Sequence, residues 1–224
     1  MNLKQIKSKG SLTDKAYNTL KASIISLDLK PGQIIVEEVI SEKLGISRTP
    51  LRAALQRLSF ESLVEIIPAK GTCVTKLSTK YLLDLFALKE VVEMLAVKLA
   101  ALNRTENDIE YLRNLVESQL EVALIKPLDV NKYLIIDRKL HAAFGKFSKN
   151  ALVEEQIIKL NEAYDRYLHF TEFEYRAVTV VREHMMIVDA IEQRDSIRAQ
   201  ELMKDHTRDV RESILLSMTN EEYY

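Results

Sequence analysis

The chain has 224 residues, of which 47% are hydrophobic, so it can bury more than one core. Its single cysteine, Cys73, excludes an intrachain disulfide, and no apolar run is long enough to span a membrane. The lysine-rich N-terminus lacks the apolar stretch of a signal peptide, and the formal net charge is only −1. We therefore expect a cytoplasmic protein with more than one domain and no membrane partner.

The first clear pattern is a pair of short helices joined at a glycine. Residues 36–44 have the spacing of an amphipathic helix whose inward side chains would be Val36, Val39, Ile40 and Leu44. Gly45 can take the left-handed conformation that ends a helix, and Ser47 can cap the next one. Two helices joined in this way are typical of a helix-turn-helix.

The second of these helices has one apolar side and one polar side. Pro50 falls in its first turn, where the missing backbone donor costs little. The stripe predicted to be buried consists of Leu51, Ala54, Leu55 and Leu58. The side chains off this stripe are Arg48, Thr49, Arg52 and Gln56. One side can therefore pack while the other enters a DNA groove.

Two β-rich segments follow, at residues 63–67 and 72–76, with a turn at 68–71 between them. This arrangement predicts the wing of a winged helix. Cys73 is expected to be a small buried residue of the second strand rather than a redox sensor.

The run LGISRTPLR-x-AL-x-x-L, followed by Leu-Val-Glu and the wing glycine, resembles the winged-helix domain of GntR-family transcription regulators over roughly residues 12–76. The resemblance implies that Arg48 and Arg52 read guanine edges or nearby phosphates in the major groove. It also implies that Thr49 holds a phosphate and that Gly71 lets the wing backbone enter the minor groove. Arginine suits the first task because its planar fork can bond guanine O6 and N7 together.

Two positions depart from the family pattern. Ala53 stands where the family usually has Glu, and Ser62 stands where it usually has Gly before Leu-Val. Neither lies on the presumed reading face, so we expect them to change local packing and turn geometry. The alternative interpretation of the whole motif is a packing module whose arginines are merely solvated.

Charge is distributed unequally along the chain. Residues 1–76 contain twelve Lys and Arg against seven Asp and Glu, whereas the remainder contains twenty against twenty-six. The basic part is the part that contains the helix-turn-helix. Positive charge favours binding to DNA because it neutralises phosphates.

The second part of the chain reads almost entirely as helix. Turn signals divide it into helices near 79–102, 106–125, 128–148, 150–173, 176–193 and 195–218. We therefore predict a mainly α protein, with an N-terminal winged helix-turn-helix and a C-terminal antiparallel bundle of six or seven helices. The predicted domains are a DNA-binding domain at 1–76, a linker at 77–80 and a helical effector-binding and dimerisation domain at 81–224.

Three histidines and one aspartate of the predicted bundle form a candidate metal site. Asp137 and His141 are four residues apart, one helical turn, and can bind one ion together. His184 and His206 are each eleven residues from Asp195, where we place a helix break. At ~1.5 Å per residue, both lie roughly 16 Å from that turn and level with each other. Nitrogen-rich ligation of this kind favours Zn, Ni, Fe or Mn over Ca or Mg.

The same residues carry a second resemblance, weaker residue by residue than the first. The order Asp137, His141, Asn150, Glu183-His184 and His206 is similar to the ligand-binding domain of FadR-like GntR regulators that carry a metal site. His169 is not part of this pattern. The alternative is a buried polar network that holds the bundle without an ion.

A metal held in this way keeps positive charge in the interior and attracts an anionic ligand. The resemblance places Lys89 where the subfamily commonly has an arginine that pairs the carboxylate of the effector. Lysine supplies charge without a bidentate fork, so the effector is expected to differ. Further candidates for the cavity wall, which could equally lie outside it, are Tyr133, Arg138, Tyr164 and Arg166.

The sequence thus predicts a ligand-responsive transcriptional regulator, with a repressor favoured. It would bind a double-stranded operator with two-fold symmetry as a homodimer and respond to a small carboxylate. One alternative keeps the regulator but makes the metal itself the signal. The other is a metal-dependent hydrolase. For the hydrolase, Glu183 would point about 100° away from His184 on the helix, and the sequence has no activated-nucleophile motif.

Overall fold

The computed structural model describes residues 11–68, 71–168 and 176–219. These residues form two compact units that divide between Leu77 and Ser78. The predicted mainly helical fold, with a small winged helix-turn-helix before a helical C-terminal domain, is confirmed. None of the described helices combines the length and apolarity needed to cross a bilayer.

The N-terminal unit contains three helices and three short strands among its described residues. They are α1 (Leu12–Ile25), β1 (Ile34–Ile35), α2 (Glu37–Leu44), α3 (Arg48–Phe60), β2 (Val64–Ile67) and β3 (Gly71–Val74). Helix α1 begins with a capping box, in which Ser11 and Asp14 bond each other's backbone amides. It packs on α3, whose predicted stripe of Leu51, Ala54, Leu55 and Leu58 is buried.

Helix α2 ends as predicted but packs less completely than predicted. Gly45 has φ 62° and closes the helix in the left-handed conformation. Of the four side chains predicted to point inward, only Ile40 and Leu44 pack against the core. Val36 and Val39 are exposed, because this two-turn helix touches the core along a single narrow strip. The prediction was wrong for these two residues.

The strands form one antiparallel sheet in the order β1-β3-β2, with Glu65 opposite Cys73 and Ile67 opposite Gly71. The pair β2–β3 is the predicted wing, and its tip at Ala69 and Lys70 lies outside the described residues. Cys73 is half-buried rather than buried.

The turn between α3 and β2 shows the effect of one departure from the family pattern. Ser62 has φ 57°, a left-handed conformation that glycine adopts without steric cost. Its amide donates to the carbonyl of Ser59 and its own carbonyl accepts from the Thr75 hydroxyl, so the conformation is held from both sides.

The C-terminal unit contains six helices in its described part. They are α4 (Thr79–Asn103), α5 (Glu106–Leu124), α6 (Val130–Phe147), α7 (Ala151–Leu168), α8 (Ala177–Glu192) and α9 (Ser196–Thr219). Polar side chains cap several of their N-termini, including Ser78, Thr105 and Asp129. The predicted end of the fourth of these helices, at 173, lies outside the described residues, as does His169.

Helix α4 is the central element of this unit, since it packs against α6, α7, α8 and α9. It begins at Thr79, within the segment assigned to the linker. The buried side chains of the unit include an unusual number of polar groups for a helical core, which mark the site described below.

Candidate DNA-binding face and metal centre

The side chains predicted to contact DNA lie on the exposed face of α3 and in the wing. Arg48, Thr49 and Arg52 all occupy the first two turns of α3 and face solvent. Ser47 occupies the N-cap position, although its side chain accepts no capping hydrogen bond. Gly71 is exposed, with φ 98° and no heavy atom within 4 Å of an added Cβ. Both elements are therefore exposed at the surface of the N-terminal unit.

Two carboxylates of α2, which the sequence interpretation missed, pair with the arginines of α3. Arg52 Nε donates to Glu37 Oε2 at 2.7 Å, and Arg48 Nη2 lies 3.0 Å from Glu38 Oε1. These pairs are exposed, so each contributes little to stability. In the free protein the two carboxylates therefore pair with the same arginines that are predicted to contact phosphates or base edges of DNA.

In the C-terminal unit the structure brings together the four predicted metal-site residues. Donor nitrogens of His141, His184 and His206 lie within 4.8 Å of one another. Asp137 Oδ2 lies 3.9 Å from His141 Nε2, and Asp137 Oδ1 lies 3.9 Å from His184 Nε2. These separations exceed a hydrogen bond but suit two donors that share one ion at about 2.1 Å from each.

Each of the three imidazoles is held by a partner at its outer nitrogen. Glu93 lies 2.6 Å from Nδ1 of His141, Gln119 Oε1 lies 2.8 Å from Nδ1 of His184, and Glu183 lies 2.7 Å from Nδ1 of His206. An acceptor at Nδ1 fixes the proton there and leaves the Nε2 lone pair for a metal. Each candidate histidine ligand therefore has an acceptor that orients its ring.

Gln119 connects two of the candidate ligands. Its side-chain Nε2 donates to Asp137 Oδ1 at 2.9 Å while its Oε1 faces His184. Glu183 is fixed in turn by Arg176, whose Nη2 donates to it at 2.9 Å. Glu183 therefore does not face the candidate ion as a base but orients His206.

A metal ion fits the residues present. Nε2 of His184 is fully buried and has no hydrogen-bond partner among the described residues. A buried polar atom without a partner is costly, and an ion between the imidazoles and Asp137 would satisfy it. The donor set of one carboxylate and three imidazoles is suited to a divalent transition metal.

The electrostatics of the site keep one candidate ligand, His184, in the neutral form that binds metal. Burial lowers the pKa of His184 well below its usual value, and the neighbouring His206 and His141 lower it further, so this imidazole is neutral. Burial alone would raise the pKa of Glu93. The adjacent His141 and Lys89 outweigh burial, so the pKa of Glu93 lies well below its usual range and the carboxylate is charged.

Lys89 lies beside Glu93 and is already paired. Its Nζ donates to Glu93 Oε1 at 2.5 Å and to Asn161 Oδ1 at 2.8 Å, and it lies 4.9 Å from the centre of the Tyr164 ring. One turn further along α7 from Asn161, Asp165 binds Arg138. Two cationic side chains thus approach the same side of α7, each with a polar partner there.

The four side chains left open by the sequence are placed as follows. Tyr133 and Tyr164 are buried in the unit, as is Arg166, whereas Arg138 is about one-third exposed. Glu93, Gln119, Asn161 and Asp165 were not predicted. The Lys89–Glu93 spacing of four residues is their one visible signal, and on a helix it reads as an ordinary surface ion pair.

Two family models match this chain. The model described as bacterial regulatory proteins of the gntR family matches residues 12–74, and the FCD domain model matches residues 84–209. An effector-binding helical domain behind a winged helix-turn-helix defines a class of transcriptional regulators. The chain belongs to the GntR family and carries an FCD domain, the FadR-like C-terminal domain.

Relatives and solved structures agree with this assignment. The chain is 26% identical over 192 residues to the HTH-type transcriptional regulator YdhC of Bacillus subtilis, covering 85% of each protein. It is 23% identical over 212 residues to the HTH-type transcriptional repressor RspR of Escherichia coli, covering 94% of this chain and 92% of that protein. The structure of E. coli McbR/YncC matches with a TM-score of 0.77 at 22% identity, over 94% of this chain and 99% of that one.

The chain is therefore a transcriptional regulator and not an enzyme, as the sequence predicted. GntR regulators bind DNA operators and typically dimerise, and FCD domains are often associated with metals.

Proposed function

We propose that this chain is a metal-dependent sensor of a small carboxylate that acts on DNA as a homodimer. The observation that carries the proposal is the buried cluster in which all three imidazoles have an acceptor at Nδ1, while Nε2 of His184 has no partner among the described residues. Such an arrangement prepares the inner nitrogens for an ion.

The metal ligands in this proposal are Asp137, His141, His184 and His206. Zn, Ni, Fe and Mn all accept such a set. When bound, a divalent ion supplies a Lewis-acidic positive charge that one ligand carboxylate only partly neutralises. Four protein donors leave coordination positions free on metals that prefer five or six ligands.

The effector in this proposal is a small carboxylate or hydroxycarboxylate. Lys89 and Arg138 bring cationic side chains to one side of α7, near the cluster. Because Lys89 already donates to Glu93 and Asn161, it contributes a partly compensated charge rather than an empty anion site. We therefore expect the effector to depend on the metal more than on Lys89 for its affinity.

The DNA contacts in this proposal come from Arg48, Thr49 and Arg52 in the major groove and from Gly71 at the minor groove. Their exposure at the start of α3 and in the wing supports these roles. A homodimer would place two winged helix-turn-helix domains on an operator with two-fold symmetry. Binding at both half-sites raises the modest affinity of a single domain.

The direction of control in this proposal is repression. One relative, RspR, is named as a transcriptional repressor. An effector that binds the DNA-incompetent arrangement more tightly releases the operator, and only such differential affinity can couple the two sites.

The proposal is tested by measuring DNA affinity under three conditions. An operator is first selected from a random-sequence duplex pool with the full-length protein, and binding is followed by fluorescence anisotropy. The protein is used metal-free, with Zn²⁺ or Mn²⁺ alone, and with metal plus each of a panel of mono-, di- and hydroxycarboxylates. We expect at least one acid to weaken operator binding by about 5–150-fold, and only when metal is present.

The variant His184→Ala with His206→Ala serves as the matched control and should lose both bound metal and the response to the acid. A response to metal alone would make the metal the signal and contradict the organic effector. An acid response that persists in the double variant would place the sensor elsewhere in the chain.

A further inference from the structure

Helix α4 has an outward face that is apolar and that the described residues leave uncovered. Val91, at the middle of this 25-residue helix, has 64% of its surface exposed, and Leu88 has 51%. The same face continues through Tyr81, Ala87, Leu95 and Leu102, all of which are exposed. These are not scattered residues, because Tyr81, Leu88, Leu95 and Leu102 are spaced by seven, which keeps them on one line along the helix.

The opposite face of α4 is also apolar and packs against four other helices of its unit. A helix that is apolar on nearly all sides is normally buried on all sides. A contiguous exposed apolar face of this length is typical of an interaction surface.

The residues on either side of Val91 make this face complementary to itself. In two antiparallel copies of α4 related by a two-fold axis at Val91, residues equally far from Val91 on either side face each other. Asp84 and Lys98 each lie seven positions from Val91, and both are exposed. Each carboxylate of one copy would therefore meet an ammonium of the other.

Size is complementary about the same axis as well. Ala87 and Leu95 each lie four positions from Val91, so a small side chain faces a large one. Leu88 and Met94, three positions away, form an apolar pair. Because Val91 is also the midpoint of Thr79–Asn103, this register overlaps the two helices along their whole length, about 37 Å.

We propose that the outward face of α4 is the dimer interface of this protein, with a second copy of α4 packed antiparallel across a two-fold axis at Val91. This inference rests on the proposed homodimer and names the surface that forms it. An isologous contact of this kind repeats every pair twice, so Asp84 meets Lys98 at both ends of the interface. The charge pairs set the register, and the apolar residues between them supply the buried area.

The register is tested by exchanging charges in the full-length protein and measuring the dimer dissociation constant by analytical ultracentrifugation. Asp84→Lys alone places two lysines against each other at both ends, and Lys98→Asp alone places two aspartates there. Each single change should weaken the dimer by about tenfold or more. The double variant Asp84→Lys with Lys98→Asp restores opposite charges and should dimerise as the unchanged protein does.

Asp84 also forms an exposed pair with Lys80 within its own helix, so Lys80→Ala is measured as the control for losing that pair. Lys80→Ala should have a dimer dissociation constant within about threefold of that of the unchanged protein, since exposed pairs contribute little.

The apolar centre is tested with Val91→Glu, which places two carboxylates at the axis and should leave the protein monomeric. Ile197→Glu is the matched control, since Ile197 is 69% exposed on α9 and lies off this face. Circular dichroism melting establishes that each variant is folded.

The outcomes separate the two proposals. An unchanged protein that sediments as a monomer at all concentrations would overturn the homodimer itself. A dimer that Val91→Glu leaves intact would overturn the α4 interface while the homodimer stands. Val91→Glu could dissociate the dimer while the double charge exchange fails to recover the affinity lost in the two single exchanges. That result would overturn the axis at Val91.

Discussion

In the N-terminal unit the candidate DNA-binding side chains lie in solvent, whereas the C-terminal unit buries every candidate metal ligand. Arg48 and Arg52 are held by single exposed ion pairs with residues of α2. His184 and Asp137 are held by a buried network that includes Gln119. Exposed pairs can be exchanged for DNA at little cost, while a buried network stays fixed because each of its members would lose its partners.

The contrast matches two different binding tasks. A DNA-binding face must give up its internal contacts whenever it meets phosphates, so weak and solvated contacts suit it. A metal centre must hold its ligands before the ion arrives, since ordering them afterwards would reduce the affinity. The predictions below test whether the two units differ in this way, beginning with the largest expected effect.

In the C-terminal unit, burial of Asp165 predicts an unusual pH dependence of the free energy of unfolding. The pKa of Asp165 is raised to about 6, chiefly because the carboxyl group is buried; Arg138 and Lys89 lower this pKa and Asp137 raises it, but they do not cancel the effect of burial. Because the folded-state pKa exceeds the unfolded value, stability from this group is complete below pH ~4 and is lost as the pH rises through ~6. Asp165→Asn removes this loss. We expect the free energy of unfolding of the metal-free variant to gain about 2–3 kcal/mol over the unchanged protein between pH 4 and pH 7.5.

The measurement is urea unfolding of both metal-free proteins across that pH range. Glu155→Gln on the same helix is the matched control, because the exposed Glu155 pairs with Lys159, which lowers its pKa. Its effect should be small and of opposite sign. A difference between Asp165→Asn and the unchanged protein that stays constant with pH would contradict the prediction.

The side chains that hold the proposed metal ligands should matter almost as much as the ligands themselves. Gln119→Leu keeps the approximate volume but removes the acceptor at His184 and the donor to Asp137. We expect Zn²⁺ affinity, measured by competition with a chromophoric chelator, to fall by about 10–100-fold. Ser118→Ala, at the neighbouring exposed position on α5, should leave it unchanged. Equal affinity in Gln119→Leu and Ser118→Ala would show that the buried network does not support a metal.

On the exposed face of the N-terminal unit, we expect the two members of one ion pair to have opposite effects on DNA affinity. Arg52→Ala should weaken binding to the selected operator by about 1–3 kcal/mol and reduce sequence preference. Glu37→Gln frees Arg52 from its internal partner and should tighten binding several-fold at low salt, with less effect at high salt. Glu42→Gln, also on α2, is the control for a general change in charge. If both Arg52→Ala and Glu37→Gln bound DNA like the unchanged protein, this arginine would not be a DNA contact.

The same contrast explains how far the sequence could predict the structure. The exposed arginines and the buried stripe of α3 follow from helical periodicity within a dozen residues, so the winged helix was predictable almost completely. The short helix α2 was the exception. There Val36 and Val39 fit an amphipathic pattern, yet two turns offer too narrow a contact to bury both.

In the C-terminal unit, spacing alone indicated Asp137 with His141 on one helix and His184 with His206 on adjacent ones. The side chains that hold these ligands were not predictable in the same way. Glu93 and Gln119 are distant in sequence from the imidazoles that they hold, at 48 and 65 positions, and no periodicity links residues on separate helices. Their roles depend on how six helices pack, which one sequence does not specify residue by residue.

The smallest expected effect concerns the turn at Ser62, where the chain departs from the family's usual glycine. Ser62 is exposed and has φ 57°, while its backbone amide and carbonyl are both hydrogen-bonded. Ser62→Gly keeps these bonds and removes the Cβ strain, so we expect the free energy of unfolding of the N-terminal unit to rise by about 0.5–1 kcal/mol. Ser59→Gly is the matched control, because Ser59 lies within α3, where glycine should destabilise by a similar amount. Urea unfolding of both variants gives the comparison, and a loss of stability in Ser62→Gly would mean that the serine side chain contributes more than its conformation costs.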